Sequence, residues 1–459
     1  MAEKLKVVNP FDNSVVAEID TDTASTVEAK LGIARNGLLR MRSLNQLKRF
    51  EILNKAADIV ASSSEDFART LVLEVGKTWR EARGEVARCV NTIRLSAVEA
   101  LKLSGEEVPF SAAGHTSKQG FYRRVPCGVI AAITPFNFPL NLVAHKIAPA
   151  FAAGCSSVLK PASVTPLSGI KLVHAMHEAG VPSEALQVIT GPVSTVGNSL
   201  VKSHVPRMIT FTGSRAVGEE ISRKAGLKKL AMELGSNSAV VILEDADLER
   251  AVKRIRIGGF ALAGQVCIST QRVYVEDGVY EKFLKLLVEE VKTIKAGNPI
   301  EEETELGPMI EEVEVKRILS WIDEAKDKGA EVILEGKNKG RVLGPWILAN
   351  APEDSKLIMM EAFAPVVVVN RVRDLEDAIL RVNGTDYGLQ GAVFTRDLKK
   401  AFRACDGIDA GGVLVNEVPT FRVDLMPYGG MKGSGLGREG PAYAVREMTE
   451  EKLYLFELT

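Results

Sequence analysis

The sequence predicts an α/β fold built on parallel sheets, and three observations carry that expectation. From residue 128 onward, short apolar runs alternate with helical stretches of ten to twenty residues. A second alternating series begins after residue 235, and the region 45–105 reads as helices alone. Strands separated by helices pair in parallel, because a tight turn cannot bring a chain back to a parallel neighbour.

Within 45–105, Val86, Val90, Ile93, Ala97 and Leu101 recur at three- and four-residue steps, one face of a 3.6-residue period. The polar segment 105–126, with Gly114 and Gly120, reads as a surface hairpin. Runs at 129–133, 157–159, 187–189 and 208–211 are predicted strands. Before the third of these, Thr165 is placed to cap a helix, Pro166 suits its first turn, Gly180 ends it and Pro182 stops its continuation. The most apolar stretch, 140–159, holds Asn141, His145, Lys146, Pro149 and Gly154, which makes it a poor membrane span and a good buried helix leading into a strand. In the second series, strands are predicted at 240–243, 273–275, 366–369, 392–394 and 413–415, with helices from about Asp247 and near 279–295 and 312–328.

Composition narrows the class. The 459 residues suffice for about three domains. Apolar and charged fractions of 46% and 25% exclude disordered and fibrous chains. With 58 basic and 59 acidic side chains, nothing draws the protein as a whole to nucleic acid or an anionic membrane. Five scattered cysteines form no disulfide scaffold and no CxxC pair, which points to a reducing compartment. The N-terminus lacks a basic start followed by an apolar stretch, so a cytoplasmic protein is expected.

Several residues could carry chemistry. Cys267, in a loop before the 273–275 strand, is either an inert packed thiol or a nucleophile. Cys89, Cys155 and Cys405 read as packing residues. Glu233, flanked by Met232 and Leu234 at a strand end, either caps the Gly235–Asn237 turn or acts as a base whose pKa its apolar neighbours raise. Asn137, between two aromatics and two prolines, is a turn residue or an amide donor to an oxyanion. Lys160 projects from a strand end. Gly213 and Ser214 follow another and open a helix, whose free N–H groups suit a phosphate. Three look-alikes carry less. The glycines at 433–437 read as a backbone turn, Ser157 and Lys160 match S-x-x-K only inside a strand, and His174 with His177 lacks a third metal ligand.

Read together, these pieces resemble the NAD(P)-dependent aldehyde dehydrogenase superfamily. PFNFP (135–139), KPAS (160–163), FTGS (211–214) with Gly218, MELGSN (232–237), GQVC (264–267), EAFAP (361–365) and PYGGMKGSG (427–435) occur in that order, and the likeness spans nearly the whole chain. The resemblance implies Cys267 as nucleophile, Glu233 as base, and Asn137 with the Cys267 N–H as oxyanion donors. It implies Lys160 on the adenosine ribose, Gly213 and Ser214 at the pyrophosphate, Glu361 on the nicotinamide ribose and Phe363 packed nearby. It also implies a Rossmann-type cofactor domain (1–106 and 127–234), an α/β catalytic domain (235–426) and a small β oligomerisation arm (107–126 and 427–459). The arm's hairpin and C-terminal strand would pair across a dimer that often doubles to a tetramer.

Two departures bear on ligands. Ser163 stands where many NAD-preferring members carry Glu, so NADP should be tolerated and even preferred. Ser236 replaces a common Gly and should alter only local packing. Arg422, just before PYGG, either lies exposed in a loop or favours an anionic tail. The expected activity is oxidation of a small hydroxylated or anionic aldehyde to its acid, with NAD or NADP and no metal. Acyl transfer to coenzyme A, or a redox-free cysteine esterase or acyltransferase, remain open alternatives.

Overall fold

A computed structural model describes residues 4–458; residues 1–3 and 459, at the outer bounds of the expected domains, lie outside it. The two alternating series form two separate sheets. The first orders its parallel strands as Lys229–Glu233, Pro206–Thr212, Val129–Ile133, Ser156–Lys160 and Leu186–Val188. Val129–Ile133 comes first in the chain and lies in the middle. The next two strands build outward on one side and the last two on the other. A crevice therefore opens at the carboxyl ends of Val129–Ile133 and Pro206–Thr212, where the order reverses.

The second sheet has seven strands, with Arg272–Glu276 and Ala239–Ile242 near its centre. It is parallel except at one edge, where Glu331–Leu334 runs antiparallel to Trp346–Ala349. Its strands are apolar on both faces, as in Val366–Val372, because helices cover both sides. The chain crosses between sheets in one step: Lys229–Glu233 ends, residues 234–238 bridge, and Ala239–Ile242 begins in the second sheet.

Helix ends are tied down by carboxylates from distant parts of the chain. Trp79–Lys102 starts with its own capping box, in which Thr78 accepts from the Glu81 N–H and Glu81 reaches back to the Thr78 N–H at 3.0 Å. It buries Val86, Val90, Ile93 and Ala97 as expected, but continues through Ala100, leaving Leu101 exposed. Asn141–Ala153 is buried at every residue. The N–H groups of Leu140 and Asn141 at its start both donate to Glu85 Oε1 at 3.0 Å, and Lys77 holds that carboxylate at 2.7 Å. Leu167–Ala179 is not capped by Thr165, whose hydroxyl donates to the Phe136 carbonyl instead. Its first N–H groups, of Leu167 and Ser168, are taken by Glu74 at 2.7 and 2.9 Å. Gly180, left-handed at φ 117°, closes this helix as predicted.

The 105–126 segment is not a self-contained hairpin. Lys118–Pro126 pairs antiparallel with Thr449–Glu457 of the same chain, and only an isolated bridge, Glu107 to Phe121, folds the segment on itself. The pairing expected across a dimer thus closes within one chain. Phe121 stacks on Tyr454 at 5.3 Å along this ribbon. The rest of 427–459 serves other parts of the fold: Gly435–Leu436 extends the first sheet against Lys229–Glu233, and Met431–Lys432 pairs with Tyr387–Gly388. An antiparallel pair, Lys4–Val8 with Val15–Asp20, begins the fold and had no counterpart among the expected elements. Cys89 and Cys155 are packed as expected, whereas Cys405 lies on the exposed face of its helix. Among the described residues no helix is long and apolar enough to cross a membrane.

Candidate active site

A cleft of about 750 Å³ runs between the two sheets. Asn137, Lys160, Ser163, Gly213, Ser214, Cys267, Glu361, Phe363 and Arg422 all stand on its wall, gathered from positions nearly 300 residues apart. Glu233 does not.

Cys267 sits on a loop held in an uncommon backbone shape. Leu262, Ala263 and Gly264 are consecutively left-handed, at φ 49°, 52° and 69°. Gly264 is required twice over, since a Cβ there would stand 2.0 Å from the Ala364 carbonyl oxygen. Neighbouring side chains hold the turn: Glu81 accepts from the Leu262 N–H at 2.6 Å, and the Gln265 side chain bonds the Leu262 carbonyl and the Ile310 N–H. The sulfur lies 3.0 Å from the Tyr428 hydroxyl. Burial pushes the Cys267 thiol up to about 12, although the Tyr428 hydroxyl favours the thiolate.

Asn137 is fixed beside this loop. Its Nδ2 donates to the Gln265 carbonyl at 2.9 Å while its Oδ1 accepts from the Phe138 N–H. One amide hydrogen is thereby used and the other is left for a ligand.

Glu233 ends its strand as expected, but its carboxyl occupies a small second cavity with Lys146 and Glu439. It does not cap the Gly235–Asn237 turn, because the Ser236 N–H is taken by Glu361 at 3.0 Å. Burial pushes the Glu233 carboxyl well above the usual range and the Glu439 charge adds to this; Arg422, Lys146 and Arg438 pull the other way. Its Oε2 is buried without a hydrogen-bond partner among the described residues.

Arg422, also on the cleft wall, is buried rather than exposed. Its guanidinium lies 3.7 Å from the centre of the Tyr428 ring and donates to Glu439 Oε1 at 2.7 Å. Arg88 joins it on the cleft wall, donating to Asp424 Oδ1 at 2.7 Å.

The sequence pattern of the aldehyde dehydrogenase family matches residues 1–454. The chain belongs to that family. A 3-sulfolactaldehyde dehydrogenase of Priestia aryabhattai is 46% identical over 458 residues, covering 100% of this chain and 96% of the relative. A lactaldehyde dehydrogenase of Methanococcus aeolicus is 38% identical, covering 98% and 96%. Among solved structures, the glyceraldehyde-3-phosphate dehydrogenase GapN of Methanocaldococcus jannaschii, complexed with NADP, is 37% identical with a TM-score of 0.96 over 100% of this chain and 99% of that one. The protein is an NAD(P)-dependent aldehyde dehydrogenase with the corresponding fold.

The cofactor end of the dehydrogenase cleft fits a dinucleotide on its own evidence. Among the described residues, buried Lys160 Nζ has only the Pro161 carbonyl at 3.2 Å and no carboxylate, and desolvation pulls it down to about 8. The helix Arg215–Lys224 opens at Ser214 with no side chain capping its first N–H groups, ready for an anion. A Cβ on Gly213 or Gly218 would stand 2.5 Å from the Phe211 ring or the Leu234 side chain, so a larger residue at either would force those side chains to move. Across the cleft, burial pushes Glu361 up to about 7, and a Cβ on Gly235 would strike its carboxylate at 2.3 Å. Phe363 meets Phe136 edge to face at 5.9 Å in a left-handed backbone, φ 49°. Ser163 donates to the Gly191 carbonyl at 3.0 Å. Ser236 donates its backbone N–H to Glu361, a bond glycine would also make, and its hydroxyl lies 3.2 Å from that of Ser238.

Sequence reasoning missed Arg88, Lys146, Asp424, Tyr428 and Glu439. Two signals were present. Tyr428 lies inside the quoted PYGG motif, and Lys146 is a charge within a stretch otherwise apolar enough to be wholly buried.

Proposed function

We propose that this dehydrogenase oxidises a short 2-hydroxy aldehyde bearing an anionic group to its carboxylic acid. The observation that carries the reading is the stack Cys267–Tyr428–Arg422: the hydroxyl of one tyrosine touches the sulfur while its ring supports a buried guanidinium. A substrate bonded to the sulfur and held by Arg422 spans little more than one side chain, the size of a three-carbon aldehyde. Similarity to enzymes named for 3-sulfolactaldehyde, lactaldehyde and glyceraldehyde 3-phosphate supports the same class.

Cys267 Sγ adds to the aldehyde carbon, and the thiol proton ends on the former carbonyl oxygen. Negative charge on that oxygen during addition is met by the free amide hydrogen of Asn137 and the Cys267 N–H. When bound, NAD(P) would supply the hydride acceptor; as the thiohemiacetal carbon gives up its hydride, the hydroxyl proton passes to solvent and a thioester on Cys267 remains. Lys160, Ser214 and Glu361 would hold that cofactor in the same cleft as the sulfur. A water then cleaves the thioester, with Glu233 taking its proton and the thiol leaving. Glu233 reaches the acyl carbon by side-chain rotation out of its cavity, since its Oε2 is untied and glycine at 429 leaves space beside it. NADP is accepted because Ser163 puts no carboxylate against a 2′-phosphate. A water-activating acid argues against coenzyme A as the acyl acceptor. The arm, with Leu453, Leu455 and Phe456 exposed, joins subunits into a dimer or tetramer, measurable by light scattering.

The test is reduced-cofactor absorbance across an aldehyde panel. The reading expects signal with short 2-hydroxy aldehydes and either dinucleotide, without coenzyme A. Signal that requires coenzyme A, or ester cleavage with no reduced cofactor, overturns it. Arg422→Met should lower kcat/KM for anionic aldehydes far more than for lactaldehyde.

A further inference from the structure

We infer that the anion-binding end of the cleft is built for a single negative charge, and that Asp424 is the positioning residue that sets this preference. The inference rests on the reading that Arg88 and Arg422 receive the substrate's tail.

Neither guanidinium is electrically free. Arg88 Nη2 donates to Asp424 Oδ1 at 2.7 Å, and Arg422 Nη2 to Glu439 Oε1 at 2.7 Å. His145 stands between the pairs, with Nε2 3.0 Å from Asp424 Oδ1 and 3.5 Å from Arg422 Nη2, and Nδ1 3.9 Å from Glu439 Oε1. Lys146 Nζ lies 3.5 Å from Glu439 Oε2. Arg88 and Arg422 face the cleft, while both carboxylates and the histidine stand behind them.

The charges balance almost completely. Burial opposes ionisation of Asp424, but His145 and Arg88 more than reverse it and hold the carboxyl well below the usual range. For Glu439, burial is likewise outweighed by His145, Arg422 and Lys146, leaving it at about 2. Burial pulls His145 down although both carboxylates favour its charged form, so at alkaline pH the imidazole is uncharged and the cations beside the carboxylates oppose them. Two guanidiniums therefore meet two carboxylates, and Lys146 stands behind them in a small cavity that Glu233, Arg438 and Glu447 also line. Each arginine spends one Nη on its carboxylate, so other guanidinium hydrogens remain for an incoming oxyanion even though neither charge is unopposed. A sulfonate or carboxylate brings one charge to this arrangement. A phosphate monoester brings nearly two, and the second stays uncompensated away from water.

Asp424 is the adjustable member. Arg422 is clamped between Tyr428 and Glu439, whereas the Arg88 side chain is 34% exposed and held mainly by Asp424. Asp424→Asn removes one negative charge at constant shape and frees Arg88 for a second charge.

The experiment uses the full-length enzyme with saturating NADP at alkaline pH, comparing kcat/KM for lactaldehyde, 3-sulfolactaldehyde and glyceraldehyde 3-phosphate. Wild type should favour the sulfonate over the phosphate by about tenfold or more, and Asp424→Asn should raise the phosphate-to-sulfonate ratio about tenfold. Ratios are read within each variant, so a general loss of activity cancels. If Asp424→Asn does not fold, wild type alone decides: lowering pH through about 6 turns the phosphate into a monoanion, and its ratio to the sulfonate should rise. A wild type that favours the phosphate, a ratio unmoved by Asp424→Asn, or a ratio flat with pH overturns the inference. Failure of the underlying reading looks different: neither anion outperforms lactaldehyde, and Arg422→Met changes nothing.

Discussion

At the cofactor end of the cleft, Lys160 has no carboxylate within reach and the Arg215–Lys224 helix start has no capping side chain; at the substrate end, Arg88 and Arg422 each already hold one. On the proposed reading, the first end is an unfinished set of charges that a dinucleotide would complete. At the second, each arginine already faces a carboxylate before anything binds. Buried charge without a partner is costly, so the open end binds strongly and the closed end discriminates. Cys267, the proposed nucleophile, is tied to the closed end through Tyr428.

Four perturbations sharpen or break that contrast. The largest effect belongs to the sulfur, which serves neither end's charge pattern. Cys267→Ala should lower turnover about 10⁴-fold or more while dinucleotide affinity, read by fluorescence titration, stays put. Retained turnover would move the nucleophile elsewhere. Asn137→Ala should lower kcat roughly 10²- to 10³-fold with little change in cofactor KM, and a change confined to KM would make it a binding residue instead.

The third perturbation is pH. Lys160, drawn down to about 8, is charged below that value and loses its charge as pH rises through it. Glu361, pushed up to about 7, is ionised above that value and neutralised as pH falls through it. Affinity for NAD, which carries no titrating phosphate in this range, should therefore peak between about 7 and 8. Lys160→Met should flatten the alkaline limb and Glu361→Gln the acid limb. A profile unchanged by both would mean the open end is not set by these two groups. The smallest effect is Ser163→Glu, which should raise the KM for NADP several-fold more than that for NAD. Equal shifts would detach Ser163 from the choice of cofactor.

Most of the scaffold was legible because it is written locally. Strand runs and the Gly180 stop each depend on a few adjacent residues. What escaped depends on partners far along the chain. Thr165 looked like a cap, but Glu74 took that role from 93 residues away. The direction of Glu233 follows from packing behind its strand, which no neighbour in sequence reveals. Arg422 could be read two ways until the Tyr428 ring and Glu439 were seen to enclose it. Arg88 lies on a helix 334 residues earlier, inside a pattern otherwise read for its apolar face.

The run Leu262, Ala263, Gly264 has a consequence in time rather than space. Holding each of the first two in left-handed backbone costs about 1–3 kcal/mol, supplied by neighbours rather than by the loop itself. On gentle warming, the segment should slip to a relaxed shape before the sheets melt, and the enzyme should fall silent while still folded. Inactivation would then precede the loss of far-ultraviolet ellipticity, and coincident curves would mean the loop and the body let go together.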